Sequence, residues 1–354
     1  MRIAQIAPLA ESVPPRLYGG TERIVSYLTE ELARQGHEVT LFASGDSRTR
    51  ARLVAITPEA LRLDPDVRDP LPHHLMMMEA VKRRTGEFDI LHFHTDLVHF
   101  PLLDRLGTPA VTTPHGRLDL PDLAPFYRVF GDQPLVSISN AQRAPLPWAR
   151  WTATVLHGLP ADLHPFSPQA AADGPLAFLG RISPEKRPDR AIAIAARAGR
   201  RLRIAAKIDN ADFAYWRDEI EPMVRAEPRV EFLGEIGEAE KSAFLGEAAA
   251  LLFPIDWPEP FGMVMIEAMA CGTPVIAWPC GAAPEVVDPG VTGFLVESVE
   301  EAAAAVEAAA GLDRAGVRAG FERRFRIERA AADYLAVYGA LSGAPPLRSL
   351  SLSA

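Results

Sequence analysis

The chain has 354 residues, 48% of them hydrophobic, which suffices for two ordinary domains, each with its own core. A formal net charge of -9 with no basic block argues against nucleic acid or an anionic membrane surface as the main partner, and only two cysteines, Cys271 and Cys280, exclude a disulfide framework and fit a reducing compartment. The opening MRIAQIAPLA is too short an apolar run for a secretory signal, and no segment reaches the roughly eighteen apolar residues of a membrane span, so the expectation is a cytoplasmic protein without a transmembrane segment.

RIAQIAP (2–8) reads as a strand and YGGT as a turn. TERIVSYLTEELARQG places Ile24, Val25, Leu28 and Leu32 on one helical stripe that Gly36 ends, and HEVTLFAS resumes as a strand. Strand, helix, strand is the unit of parallel sheets. FDILHFH, TPAVTTPH, PLVSISN and TATVLHG continue the series, so the first half reads as one doubly wound sheet. LHGLPADLHPFSPQAAADGP lacks periodicity and reads as a linker. PLAFLGRI, LRIAAKI, RVEFLGEI, AALLFPI, TPVIAW and GFLVES then repeat the architecture, and residues beyond 299 read as helices. The expected boundaries are 1–165 for a first Rossmann-like domain, 166–328 for a second, 329–342 for a helix crossing back to the first, and 343–354 for a disordered tail. Open parallel sheets bind ligands outside the carboxyl ends of their strands, so the cleft between two such domains is the expected site.

Two stretches at strand ends carry chemistry. In EPFGMVMIE (259–267) a carboxylate, Glu267, stands among Met263, Val264, Ile266 and Met269, where an unpaired charge would cost several kcal/mol. The amides of Phe261, Gly262 and Met263 open that helix and lack intrahelical partners, and Glu259 precedes them in a loop bracketed by prolines. Two carboxylates beside free amides suit a sugar or ribose; the plain alternative pairs Glu267 with a neighbouring cation and leaves Glu259 solvated. GRISPEKRPD (180–189) offers Arg181, Lys186 and Arg187 between a strand and a helix, a match for a pyrophosphate or else a solvated basic loop.

These two stretches, with GAAPEVV, GVTGFLV, YGGTERIVSYLTEELARQGHEVTLFA and TPHG, resemble glycosyltransferase family 4, retaining enzymes of the GT-B fold, over nearly the whole chain. The resemblance implies an α/β architecture of two Rossmann-like doubly wound parallel-sheet domains facing a central cleft, with C-terminal helices crossing back. It implies transfer of a glycosyl group from a nucleoside-diphosphate sugar, UDP-glucose in type, to an unidentified acceptor hydroxyl, with no metal and no cofactor beyond that co-substrate. Residue by residue, Arg181 and Lys186 would hold the diphosphate, Glu259 a hydroxyl of the donor sugar and Glu267 the ribose. The amides of Phe261, Gly262, Met263 and Val264 would complete these contacts, Glu235 and Ile236 would lie beside the base, and Gly19 and Gly20 would let diphosphate and acceptor approach the backbone. His115 would stand near the transferred sugar. Two departures are visible: His157 precedes Gly158 where the family often has Asn, and Lys207 replaces a small residue, as an extra phosphate contact or a surface lysine. Acceptor choice falls to the N-terminal loops, whose Tyr18, Phe126 and Tyr127 either stack on the acceptor or pack the loop.

Two rival readings stand beside this one. LHFHTDLVHF supplies His92, His94, Asp96 and His99, a spacing like the zinc loop of metallo-β-lactamase-type hydrolases, though His92 and His94 fall on one side of a strand and can equally be a polar strand end. A GT-B protein that binds or epimerises a nucleotide sugar without transferring it is the other.

Overall fold

The computed structural model describes residues 1–16, 19–171 and 174–343; Tyr18 and residues 344–354 of the expected tail lie outside them. Apolar runs at Arg2–Ile6 (β1), Glu38–Ala43 (β2), Arg52–Ala55 (β3), Ile90–Phe93 (β4), Ala110–Thr112 (β5), Leu135–Ser137 (β6) and Trp151–Thr154 (β7) form one sheet in the order β3-β2-β1-β4-β5-β6-β7. Leu176–Ile182 (β8), Leu202–Ile208 (β9), Val230–Gly234 (β10), Ala250–Phe253 (β11), Val275–Ala277 (β12) and Gly293–Leu295 (β13) form a second, in the order β10-β9-β8-β11-β12-β13. Every pairing in both sheets is parallel. These are therefore two doubly wound α/β sheets, and each reverses its strand order once, at β1/β4 and at β8/β11. Such a reversal leaves a crevice at the carboxyl ends of the two strands.

The described chain divides into two compact units, one of Met1–Ile138, Arg143–Gly158 and the described residues from Ile327, the other of Ser139–Gln142 and Leu159–Arg326. Parallel strands are covered on both faces, which is why they read as continuous apolar runs. In the second unit Leu176, Ile204, Leu252 and Ile276 of the sheet pack with Ile192 and Ile194 of the helix Pro188–Ala198. In the first unit one face of the sheet packs Phe42, Leu91 and Phe93 with Met77, Met78 and Val81 of the helix Leu71–Lys82. The opposite face buries Ile3, Val111 and Val136 against Leu28 and Leu32 of the helix Gly20–Arg34 and against Ala331, Tyr334 and Tyr338 of the C-terminal helix Ile327–Ser342. Each fully buried Leu, Ile or Phe contributes about 1.5–3 kcal/mol. Both cysteines are free, and among the described residues no helix is long and apolar enough to cross a membrane.

Candidate functional site

Strand β8 runs on to Ile182, so Arg181 stands in the strand itself, in register with Lys207 of β9. It is not in the loop that the sequence suggests. Its guanidinium donates to Glu185 at 2.6 Å and lies 3.7 Å from Asp209, to which Lys207 is also paired at 2.8 Å. A single turn, Pro184–Lys186, follows, and Arg187 takes left-handed backbone geometry (φ 55°) before the helix Pro188–Ala198 begins. That turn aims Lys186 at Glu259, with which it forms an ion pair, and its ammonium lies 4.7 Å from the centre of the Trp257 ring. Trp257 Nε1 donates to the same carboxylate at 3.0 Å. Arg187 is drawn away from this cluster by Asp189 and Asp256, which hold its guanidinium above its ordinary pKa. Arg181 and Lys207, which share Asp209, and Lys186, paired with Glu259, thus stand past or near the carboxyl ends of β8, β9 and β11, where the sheet reverses.

Glu259 is held by its backbone as well. Its carbonyl accepts from the Ala282 amide at 2.9 Å, and a Cβ on Gly281 (φ 56°) would fall 2.2 Å from that carbonyl oxygen. Gly262, at φ 83°, caps the helix Met263–Ala270, and a Cβ there would meet Met265 Cε at 2.7 Å and Phe253 Cζ at 2.9 Å. The first amides of that helix, at Met263 and Val264, have no intrahelical acceptor.

Glu267 is 3% exposed, and it is not an isolated charge. Lys241, on the helix Glu238–Gly246, donates to it at 2.9 Å and lies 3.4 Å from Glu238, whose carboxylate is 3.7 Å from His164. Among the described residues His164, Glu238 and Glu267 form the group with metal-ligand composition, but the Lys241 ammonium already stands against both carboxylates and supplies the positive charge. Lys241 is the residue that sequence reasoning missed. No motif marks it, because its partner lies 26 positions away.

In the first unit, register pairs Gln5 of β1 with His92 of β4, beside the other reversal. His92 is bonded to Tyr338 (2.6 Å) and Thr113 (2.8 Å), His94 to Gln5 (2.7 Å) and His115 (2.9 Å), and His99 to Thr95 (2.9 Å) and Thr112 (2.7 Å). The ring nitrogens that a zinc ion would need are engaged within the fold. The zinc reading of LHFHTDLVHF fails on this geometry: the stretch is an internal hydrogen-bond network. Burial pushes His92 and His94 well below the ordinary histidine pKa, and His99 and His115 down to about 3, so all four are neutral at pH 7. His115 stacks on the buried His157 with ring centres 5.4 Å apart.

The remaining residues divide. Gly19 closes the turn before the helix Gly20–Arg34, where a Cβ would stand 2.8 Å from Pro15, whereas Gly20 faces open space. Glu235 is exposed just past β10, with Ile236 half-buried beside it. Tyr127 takes the packing alternative, buried edge-on against Phe100, with the half-buried Phe126 beside both.

The family model described as Glycosyltransferase Family 4 matches residues 18–216, more than half of the chain, and the one described as Glycosyl transferases group 1 matches residues 169–314. D-inositol 3-phosphate glycosyltransferase of Mycolicibacterium smegmatis is 28% identical over 79% of this chain and 75% of its own length. That of Actinosynnema mirum is 28% identical over 91% and 92%. Among solved structures, AviGT4, a glycosyltransferase involved in avilamycin A biosynthesis, is similar at 25% identity and a TM-score of 0.73, over 98% of this chain and 99% of its own. Sucrose-phosphate synthase of Thermosynechococcus elongatus has a TM-score of 0.79 at 22% identity, over 98% and 100%, and Anabaena HepE in complex with UDP and glucose one of 0.73 at 19%, over 96% and 100%. The two parallel-sheet units are those of the GT-B fold, and the chain belongs to glycosyltransferase family 4.

Proposed function

We propose that this glycosyltransferase takes its sugar from a nucleoside-diphosphate donor, with retention at the anomeric carbon and without a required metal. The observation that carries the reading is that Arg181 and the ion-paired Lys186 and Glu259 stand past or near the carboxyl ends of β8 and β11, where the sheet reverses. Lys186 and Glu259 form an ion pair in a largely buried place, each side chain less than a fifth exposed. A donor diphosphate would take over Lys186, and a hydroxyl of its sugar would donate to Glu259, so each charge exchanges one partner for another and neither is stranded. As the bond from the anomeric carbon to the diphosphate oxygen breaks, negative charge grows on the leaving group, and Arg181 and Lys186 are fixed cations positioned to stabilise it. The acceptor oxygen bonds to the same face of the anomeric carbon, and its proton passes to the departing phosphate oxygen.

In this reading Glu267 accepts from the ribose, which answers the question of a carboxylate inside an apolar helix: Lys241 pairs with it before the donor arrives. A UDP-sugar is the donor to test first, since the fold neighbour HepE was solved with UDP and glucose. D-inositol 3-phosphate, named for the curated relatives, is the first acceptor. The test is calorimetric titration of UDP-glucose in EDTA, followed by product analysis at the anomeric centre. Saturable binding that survives EDTA and is lost in Glu259→Ala supports the assignment; binding that needs a metal, or a product of inverted configuration, overturns the corresponding part.

A further inference from the structure

The hydrogen bonds around His115 have a direction, and its origin is one amide. Gln5 Oε1 accepts from His94 Nε2–H at 2.7 Å, so His94 Nδ1 carries no proton and accepts from His115 Nε2–H at 2.9 Å. His115 Nδ1 is then a bare lone pair, and that buried atom has no hydrogen-bond partner among the described residues. The other end of the Gln5 amide closes the circuit. Its Nε2 donates to the Tyr338 hydroxyl at 3.1 Å, which donates to His92 Nδ1 at 2.6 Å, leaving His92 Nε2–H to donate to Thr113 Oγ1 at 2.8 Å, which lies 3.1 Å from the Tyr334 hydroxyl. Gln5, His92, His94 and Tyr338 are each at most 1% exposed, so no bulk water competes for these groups. Reversing the Gln5 amide would reverse the branch through His94 and put a proton on His115 Nδ1.

We propose that Gln5 is a positioning residue, held by Tyr338 of the C-terminal helix, that sets the tautomer of His94 and through it presents His115 Nδ1 as a hydrogen-bond acceptor. The inference rests on the proposed function only in taking a sugar hydroxyl as the group that His115 meets; the tautomer exists without ligand. It also explains why His115 must stay neutral: a protonated ring would offer a donor at Nδ1 instead.

The test reads the tautomer directly, by two-bond proton–nitrogen correlation of 15N-histidine-labelled protein at pH 7 without ligand. Wild type is expected to show His115 protonated at Nε2 and bare at Nδ1. Gln5→Met, of similar shape, and Tyr338→Phe, which keeps the Gln5–His94 bond but removes its anchor, should move the Nδ1 signal toward a mixture, more so in Gln5→Met. Wild-type protein protonated at Nδ1, or a folded Gln5→Met variant with an unmoved signal, overturns the proposal; the wild-type spectrum decides even if a variant fails to fold. Binding separates this from the reading it rests on. With UDP-glucose as probe, Gln5→Met should raise the Kd about tenfold, the worth of one hydrogen bond, and leave the Kd for UDP unchanged. A moved tautomer with an unchanged Kd for UDP-glucose supports the relay and overturns the placement of His115 at the sugar.

Discussion

An ammonium and a carboxylate that meet away from water constrain each other's replacement, and two such pairs define the second unit's site. Removing Lys186 leaves the Glu259 carboxylate with the Trp257 indole and, in the proposed reading, takes a cation from the leaving diphosphate. Lys186→Ala should therefore lower kcat by roughly 10²–10³-fold with the fold intact by circular dichroism, and a near-wild-type rate would sink its role. The second pair is deeper: the Glu267 side chain is 4% exposed and that of Lys241 15%. Lys241→Met should destabilise by about 3 kcal/mol in urea denaturation, because a buried carboxylate loses its partner, and Lys241→Met with Glu267→Gln should recover most of that. A double variant no more stable than the single one would show that the pair is not what holds Glu267. Glu259, Glu267, Arg181 and Lys186 were legible in the sequence because they sit at fixed spacings beside strand ends. Their partners Trp257, Asp209 and Lys241 were not, since which side chains meet across a sheet edge depends on tertiary register.

At the level of elements, backbone closeness decides where the Glu259 loop lies. Because a Cβ on Gly281 would collide with the Glu259 backbone, Gly281→Ala should push Glu259 off its position without touching any ligand-binding group. The expected outcome is a loss of at least tenfold in kcat/KM with the melting profile changed far less than by a core truncation; unchanged kinetics would show that the loop shifts harmlessly. The same scale shows what periodicity conveys. The strands of the second sheet were readable from their apolar runs because both faces are covered. β3 was not, as Arg52–Ala55 is a short edge strand with no buried residue. Nor was the helix Leu71–Lys82, whose exposed Leu71, Leu75 and Met76 blur the stripe made by the buried Met77, Met78 and Val81.

For the molecule as a whole, buried neutral histidines set the response to acid. His99 and His115, at about 3 in the folded chain, and His92, His94 and His157, pushed well below their ordinary value by burial, take up protons only on unfolding. Their stabilisation is complete above the unfolded value near 6.5 and is lost as the pH falls below it. Glu22 runs the other way: burial raises it to about 7, so its contribution is present below the unfolded carboxyl value and lost as the pH rises through 7. Five histidines outweigh one carboxyl, so stability should drop between pH 7 and 5.5 by about 1 kcal/mol per histidine. Denaturation of His99→Asn at the two pH values checks this: its sensitivity should be about 1 kcal/mol smaller than that of wild type. Equal sensitivities would mean that His99 is protonated in the folded chain.

The C-terminal helix supplies Tyr334 and Tyr338 to the core that contains Ile3 and to the network that contains Gln5 and His92. On the ribosome this makes the half that is translated first the half that is finished last. Some 333 residues separate Gln5 from its anchor, so the first sheet must wait, with one face only partly covered, while the entire second unit is synthesised and folds. A growing chain halted before residue 327 would carry a complete donor-side unit and an unfinished partner, the reverse of their order of birth.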